Sequence, residues 1–259
     1  MQIFTNLFIP FYKDIKEFIL DTLFPISCLA CETEGKEFLC SDCASKLPKV
    51  HQICIMCHKP SPGGLTHPNC KSQYSPEGLI SLLDYHDERV SKLIIHGKYY
   101  FVKDIYKTLG KMLANEIKTK HPHLTTTNYQ LTPIPLHFTR QNWRGFNQAE
   151  ILCQSLGKQL NLPIAPALIR KKSTKTQKDL KKEQRLLNVR DSFAVSPNVK
   201  SSRLPAPESA ADGGQLNIQS LNCILVDDVT TTGATLQEAA KVLKRNGAAK
   251  VFCLTVARD

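Results

Sequence analysis

The sequence predicts an α/β domain with a mainly parallel sheet flanked by helices, preceded by a small cysteine-rich module that binds metal. Near the C-terminus, Cys223 to Thr235 reads CILVDDVTTTGAT: a short apolar run, two carboxylates, a threonine-glycine stretch, then a helical pattern to about Arg245. Seven of the ten cysteines (28, 31, 40, 43, 54, 57 and 70) fall within 43 residues, and only 153, 223 and 253 lie elsewhere. Between the two regions, short apolar runs alternate with amphipathic stretches, the pattern of strands that each hand over to a helix.

At 259 residues the chain is long enough for one sizeable domain plus a small module. No apolar run reaches the ~18 residues of a membrane span. A formal charge of +11 and a pI near 9.2 imply anionic partners, either phosphorylated ligands or nucleic acid.

Residues 1–25 are apolar and aromatic but interrupted by Lys13, Asp14, Lys16, Glu17 and Asp21. They lack the basic start and uncharged core of a secretory signal, so a retained amphipathic helix is expected, with a membrane-surface or partner helix as the other reading. Residues 26–72 form the cysteine-rich module. Cys28-x2-Cys31 and Cys40-x2-Cys43 each offer two thiolates, and together they complete a tetrahedral zinc set. Ser27 to Val50 has too few large apolar side chains to offset its ordering entropy, whereas metal binding supplies ~10–16 kcal/mol in small zinc modules. Cys54, Cys57, His67 and Cys70 make a second half-pattern. It reads as a Cys3His site, as ligands exchanged with the first set, or as thiols without metal. No water-activating partner stands beside either set, so the zinc is expected to be structural. Clustered cysteines without an export signal fit metal ligation in a reducing cytoplasm.

Residues 73–259 carry the larger domain. Gly78 to Tyr85 reads as a strand, Glu88 to His96 as a short helix, and Val102 to Lys118 as an amphipathic helix with Ile105, Leu109, Met112, Leu113 and Ile117 on one face. Lys98, between those helices, is either a solvated charge or a ligand contact. Tyr129 to Leu136 reads as a core strand that runs into Arg140, Arg144 and Gly145, an anion-binding turn before a helix from Ala149 to Leu160. Ile169 to Arg190 holds nine basic residues against Asp179 and Glu183. It reads as a loop (Lys175 to Asp179) and a helix (Lys181 to Val189), serving as a ligand lid, a nucleic-acid contact or a solvated surface. Ser196 to Ser220 is rich in Ser, Pro, Ala and Gly and is expected to be a poorly ordered insertion. Lys250 to Ala257 supplies the last strand.

The segment from Asp227 onward carries the chemistry. A loop entering a helix aims free N–H groups and the positive end of the dipole at one point, where a phosphate is favoured. The hydroxyls of Thr231, Thr232 and Thr235 add donors, and Gly233 lets the backbone approach closely. Asp227 and Asp228 repel one another, so at a buried strand end they need a partner such as ribose hydroxyls or a divalent cation.

This segment resembles the signature of type I phosphoribosyltransferases, which bind 5-phosphoribosyl-1-pyrophosphate (PRPP). The resemblance implies that Asp227 and Asp228 address the ribose hydroxyls, directly or through Mg2+, and that Val229, Thr230, Thr231, Thr232, Gly233, Ala234 and Thr235 wrap the 5′-phosphate. It places pyrophosphate at Arg140, Arg144 and Gly145, with Lys98 as a further contact. Taken with the cysteine pairs, Lys98-Tyr99, Arg-x3-Arg-Gly-Phe-Asn-Gln from Arg140, Arg170, Thr176-Gln177-x2-Leu180 and Arg185-x2-Asn188, the chain resembles the ComF family over nearly its whole length. That family implies a cytoplasmic protein of DNA uptake that handles incoming single-stranded DNA, with a DNA-uptake or helicase protein as partner. Arg170, Thr176, Gln177, Lys178, Lys181, Lys182 and Arg185 are then lid or nucleic-acid contacts. The other expectation is an active phosphoribosyltransferase of nucleotide metabolism whose acceptor base the sequence does not identify. Stacking on single strands would fall to Trp143, Phe146 and Tyr99.

Overall fold

The computed structural model describes residues 26–126, 128–172, 188–197, 199–200, 216–217 and 220–259. The chain divides into two units, Met1–Leu47 and Pro48–Asp259. The expected N-terminal helix over 1–25 lies outside the described residues. In the first unit, turns do most of the work. The Cys28 N–H donates to the Thr33 carbonyl and the Leu29 N–H to the Phe38 carbonyl, both at 2.9 Å. A short helix α1 (Ser41–Ser45) follows, whose N-cap Cys40 sulfur accepts from the Cys43 N–H. Among the described residues of this unit, Cys28, Leu39 and Leu47 are the buried apolar ones, a small area to set against backbone ordering.

In the second unit, strands β1 (Gly78–Asp84), β2 (Tyr129–Pro133), β3 (Leu168–Arg170), β4 (Phe193–Val195), β5 (Val199–Lys200), β6 (Leu216–Asn217), β7 (Asn222–Thr230) and β8 (Lys250–Arg258) are joined by helices α2 (Glu88–Tyr99), α3 (Lys103–Lys120), α4 (Phe138–Arg144), α5 (Gln148–Leu160) and α6 (Ala234–Arg245). The main sheet is parallel throughout, in the order β1-β8-β7-β2. The apolar runs of β1, β8 and the first half of β7 are continuous because both faces of the sheet are covered. Cys223 and Leu225 pack with Leu236, Ala239, Ala240 and Leu243 of α6 and with Leu168 and Phe193 of the antiparallel pair β3-β4. Ile224 and Val226, equally buried, point the other way, where α3 and α5 pack on each other and on the sheet. Residues 48–77 are bonded to the β1 edge: the Gln52 side chain holds both backbone groups of Ser81, and the Glu77 N–H donates to Val251 at 2.7 Å.

Several boundaries differ from the sequence reading. β7 runs on through the acid pair to Thr230, because β8 extends to Arg258 and supplies backbone partners that far. Helix α2 continues past His96 to Tyr99, which puts Lys98 on its last turn rather than in a link; Gly97 allows this, since a Cβ there would meet the Tyr106 ring at 2.7 Å. β2 stops at Pro133. Arg140 and Arg144 lie on a helix, α4, not in a turn: His137 caps its N-terminus and Gly145, at φ 71°, caps its C-terminus. The β3-β4 pair was not foreseen. Within 196–220, Val199–Lys200 pairs in parallel with Leu216–Asn217, and the remainder of that stretch apart from its ends lies outside the described residues.

Candidate functional site

Asp227 and Asp228 occupy consecutive positions in β7, so their side chains leave the strand on opposite faces. Asp228 is 3% exposed and shares the face of α2 and α3. Its Oδ1 accepts from the Val229 N–H at 2.9 Å, and its Oδ2 sits 2.8 Å from Lys98 Nζ in an ion pair that is not aligned as a hydrogen bond. Asp227 accepts from the Asp228 N–H at 2.9 Å. It keeps some accessible surface, yet so many protein atoms surround its carboxyl that burial, followed by the charge of Asp228, pushes its pKa up to about 7; Lys98, that N–H and Arg170 pull the other way. The acid pair therefore sits in an electrostatic conflict that one lysine only partly relieves.

Arginines close the site. Arg170, the last residue of β3, places its guanidinium 5.3 Å from the Phe193 ring centre; burial and then Arg140 lower its pKa, while Asp227 raises it. Arg170 is thus within electrostatic reach of both Arg140 and Asp227. Arg144 is 9% exposed: its Nη1 donates to Gln148 Oε1 at 2.6 Å, while its buried Nε has no partner. Tyr106, within electrostatic reach of both Asp228 and Arg144, is fully buried, its hydroxyl 3.5 Å from the Ile94 carbonyl. Burial and then Asp228 push that phenol well above its usual pKa, so it stays neutral.

The loop after β7 is three residues long. Thr230 is bound into the sheet edge, its carbonyl accepting the Asp259 N–H at 3.0 Å. Thr231 Oγ1 is buried without a partner, and Thr232 Oγ1 accepts from the Ala234 N–H at 3.4 Å. Gly233 starts α6 at φ 72° with no side-chain cap, and no acidic residue stands in the first turn to offset the dipole. Thr235 is the second residue of that helix. The loop is braced from behind: a Cβ on Gly233 would meet Ile55 Cγ1 at 2.8 Å, and Gln237 Nε2 donates to the Ile55 carbonyl at 2.9 Å. An unpartnered arginine nitrogen, an unpartnered hydroxyl, an acid pair and an uncapped helix end suit a ligand carrying both phosphates and hydroxyls.

The sequence reading gathered Lys98, Arg140, Arg144, Gly145, Arg170 and residues 227–235, and all of them fall within the described residues. Gln148, the last residue of the motif that starts at Arg140, was quoted but given no role, and Tyr106, Ile55 and Gln237 were missed. Tyr106 had only its place on the buried face of α3 as a signal; Ile55 and Gln237 had none. Thr176, Gln177, Lys178, Lys181, Lys182 and Arg185 lie outside the described residues. Phe146 is 8% exposed and packed against Tyr106, so it cannot offer a stacking face.

Cys28, Cys31, Cys40 and Cys43 bring their sulfurs together, as do Cys54, Cys57, His67 and Cys70; within each set the ligand atoms lie within 4.8 Å of one another. Burial opposes ionisation of Cys28, but N–H groups of Cys40, Cys31 and Ala30 bring its thiol down to about 6. Neighbouring sulfurs of Cys31 and Cys40 push Cys43 up to about 12. The second set repeats this. Burial works against Cys54, N–H donors lower it to about 7, and Cys57 leads in raising Cys70 to about 11. In each set thiolates form and then crowd one another, a conflict that a dication resolves. His67 Nε2 donates to the Pro60 carbonyl at 3.1 Å, which leaves the Nδ1 lone pair facing Cys57 Sγ at 3.3 Å. Both donor sets fit tetrahedral zinc in a structural role.

Comparison with known proteins agrees with these two halves. A double zinc ribbon domain model matches residues 19–71, and a phosphoribosyl transferase domain model matches residues 144–259. Over 234 residues the chain is 29% identical to Competence protein F of Haemophilus influenzae, covering 89% of this chain and 90% of that protein. It is 30% identical over 238 residues to DNA utilization protein YhgH of Escherichia coli, covering 88% of each. Competence protein ComFC of Bacillus subtilis is 29% identical over 235 residues, covering 86% of this chain and 85% of that one. Among the described residues, no helix is long and apolar enough to cross a membrane. With a zinc-ribbon module leading into a phosphoribosyltransferase-fold domain, and with relatives of that identity along most of its length, this chain belongs to the ComF family.

Proposed function

We propose that the chain binds PRPP at the junction of β7 and α6 and acts in the cytoplasm on incoming single-stranded DNA during DNA uptake. The single observation that carries PRPP binding is the buried, mutually repelling acid pair of β7, set directly before an uncapped helix end. Asp227 and Asp228 would orient the ribose through its hydroxyls. Val229 to Thr235 would hold the 5′-phosphate through main-chain N–H groups and the Thr231 hydroxyl. Lys98, Arg140, Arg144 and Gly145 would take the pyrophosphate, with Lys98 leaving Asp228 as ligand enters. The acid pair fits Mg2+, with Asp228 Oδ2 held only by its ion pair to Lys98 and by no aligned hydrogen bond; the ion would neutralise charge on the pyrophosphate. Zinc at the first cysteine set would order residues 26–47, and zinc at the second would order residues 54–70 within the larger unit. The role on DNA is supported by the names of the relatives and by the charge of +11; a DNA-uptake or helicase protein is the expected partner.

A second reading is turnover: the acceptor nitrogen bonds to ribose C1 as the C1–O bond breaks and pyrophosphate leaves with the bonding pair. Asp227 favours it, because a carboxyl near pKa 7 is suited to take the acceptor's proton at neutral pH. Pyrophosphate release from PRPP, screened against nucleobases and oligonucleotides, separates the two. Release with any acceptor makes the protein a transferase. PRPP-dependent thermal stabilisation with no release makes it a PRPP-binding protein of DNA handling, and no stabilisation removes both readings.

A further inference from the structure

Where α2 ends and α3 begins, the chain exposes three consecutive aromatics, Tyr99 at 45%, Tyr100 at 65% and Phe101 at 46%, and the facing helix α4 exposes Trp143 at 58%. Trp143 meets Tyr99 edge-on at 6.0 Å between ring centres and Phe101 at 5.6 Å. Single exposed aromatics are ordinary, but two rings meeting on a third form a patch. Phe101 also sits at φ 62°, a conformation that costs a bulky L-residue energy and is kept where the surroundings enforce it. The backbone is spending strain to hold an apolar ring in water beside Trp143.

The surroundings of the patch indicate what covers it. Residues 87–107 and 138–144 carry seven lysines and arginines against three carboxylates, Asp87, Glu88 and Asp104, and Asp87 is paired with Arg89 at 2.7 Å. Asp104 is already paired with Lys107 at 2.7 Å. Tyr99 follows Lys98 at the end of α2 and Trp143 precedes Arg144 at the end of α4, so the same two helix ends that carry Lys98 and Arg144 also carry the rings. Lys103, two residues after Phe101, is exposed. Aromatic faces interleaved with cations suit a strand of unpaired bases on a phosphate backbone.

We propose that Tyr99, Phe101 and Trp143 form a base-stacking platform for single-stranded DNA, beginning at the edge of the PRPP site; this rests on the DNA-handling role proposed above. Trp143 is the only tryptophan, so its emission reports the contact. Full-length protein is titrated with an oligothymidine of about a dozen nucleotides and with an abasic deoxyribose-phosphate oligomer of equal length, at physiological salt. Oligothymidine quenches Trp143 and the abasic oligomer does not. Read by the anisotropy of end-labelled oligomers, which needs no tryptophan, Trp143→Ala weakens oligothymidine binding on the order of ten-fold, spares abasic binding, and is largely rescued by Trp143→Phe, with melting temperature unchanged. Binding by the wild type without quenching, or equal loss for both oligomers, overturns the platform alone. Unchanged oligothymidine affinity in Trp143→Ala also overturns it and assigns the patch to a protein partner. Failure of the wild type to bind either oligomer removes the DNA role itself.

Discussion

The stretch from Ile26 to Leu47 and the strand pair β7-β8 reach order by opposite means. The first buries Cys28, Leu39 and Leu47 and little else that is apolar, and its four sulfurs converge on one point. The second buries every residue from Cys223 to Val226 and from Val251 to Ala257. Only the second has stability to spare, and it is there that two repelling carboxylates are tolerated. A packed sheet can hold a destabilising site that a metal-organised loop could not.

Chelation sharpens this contrast most. Removing zinc, or changing Cys40 to Ser, should abolish amide-exchange protection across 26–47 while β7 and β8 stay protected, since metal supplies on the order of 10 kcal/mol to such modules. Native mass spectrometry should report two zinc ions per chain beforehand. Protection of 26–47 that survives chelation would break the comparison. A smaller effect comes from Lys98→Met, which leaves Asp228 buried without its counter-ion; urea titration should show a loss of about 3 kcal/mol. No loss would mean that Asp228 is relieved by other groups.

The mildest effect reverses sign. The pKa of Asp227 is raised from 3.8 to about 7 on folding, so between those values the unfolded chain binds fewer protons and stability falls as pH rises. Asp227→Asn should therefore melt higher than the ligand-free wild type at about pH 8, by on the order of 1–4 kcal/mol, with the gap closing towards pH 4. A variant that melts lower at pH 8 would mean that the acid pair is not under strain.

The sequence made the strand, acid pair and helix of the β7-α6 junction visible because each is written in consecutive residues, and it marked both metal sets through ligand spacing. Long-range contacts were out of its reach. Lys98 stands 130 positions before its Asp228 partner in sequence and reaches it only because α2 extends one turn further than its periodicity indicates. The brace from Ile55 to Gln237 spans 182 residues. Helix α4 was missed because about two turns show no apolar period, and its caps, His137 and Gly145, were the available clue. β3 and β4 are three residues each, below the length at which alternation can be recognised.

The central claim is that PRPP lodges where β7 passes into α6. Calorimetry with PRPP and Mg2+ on the wild type and on Asp227→Ala/Asp228→Ala tests it most directly, with the melting temperature of both proteins as the check on folding. The account predicts binding by the wild type and a loss of about a hundred-fold or more in the double variant, as expected when two charge-assisted contacts are removed. Equal affinity in the two folded proteins would contradict it.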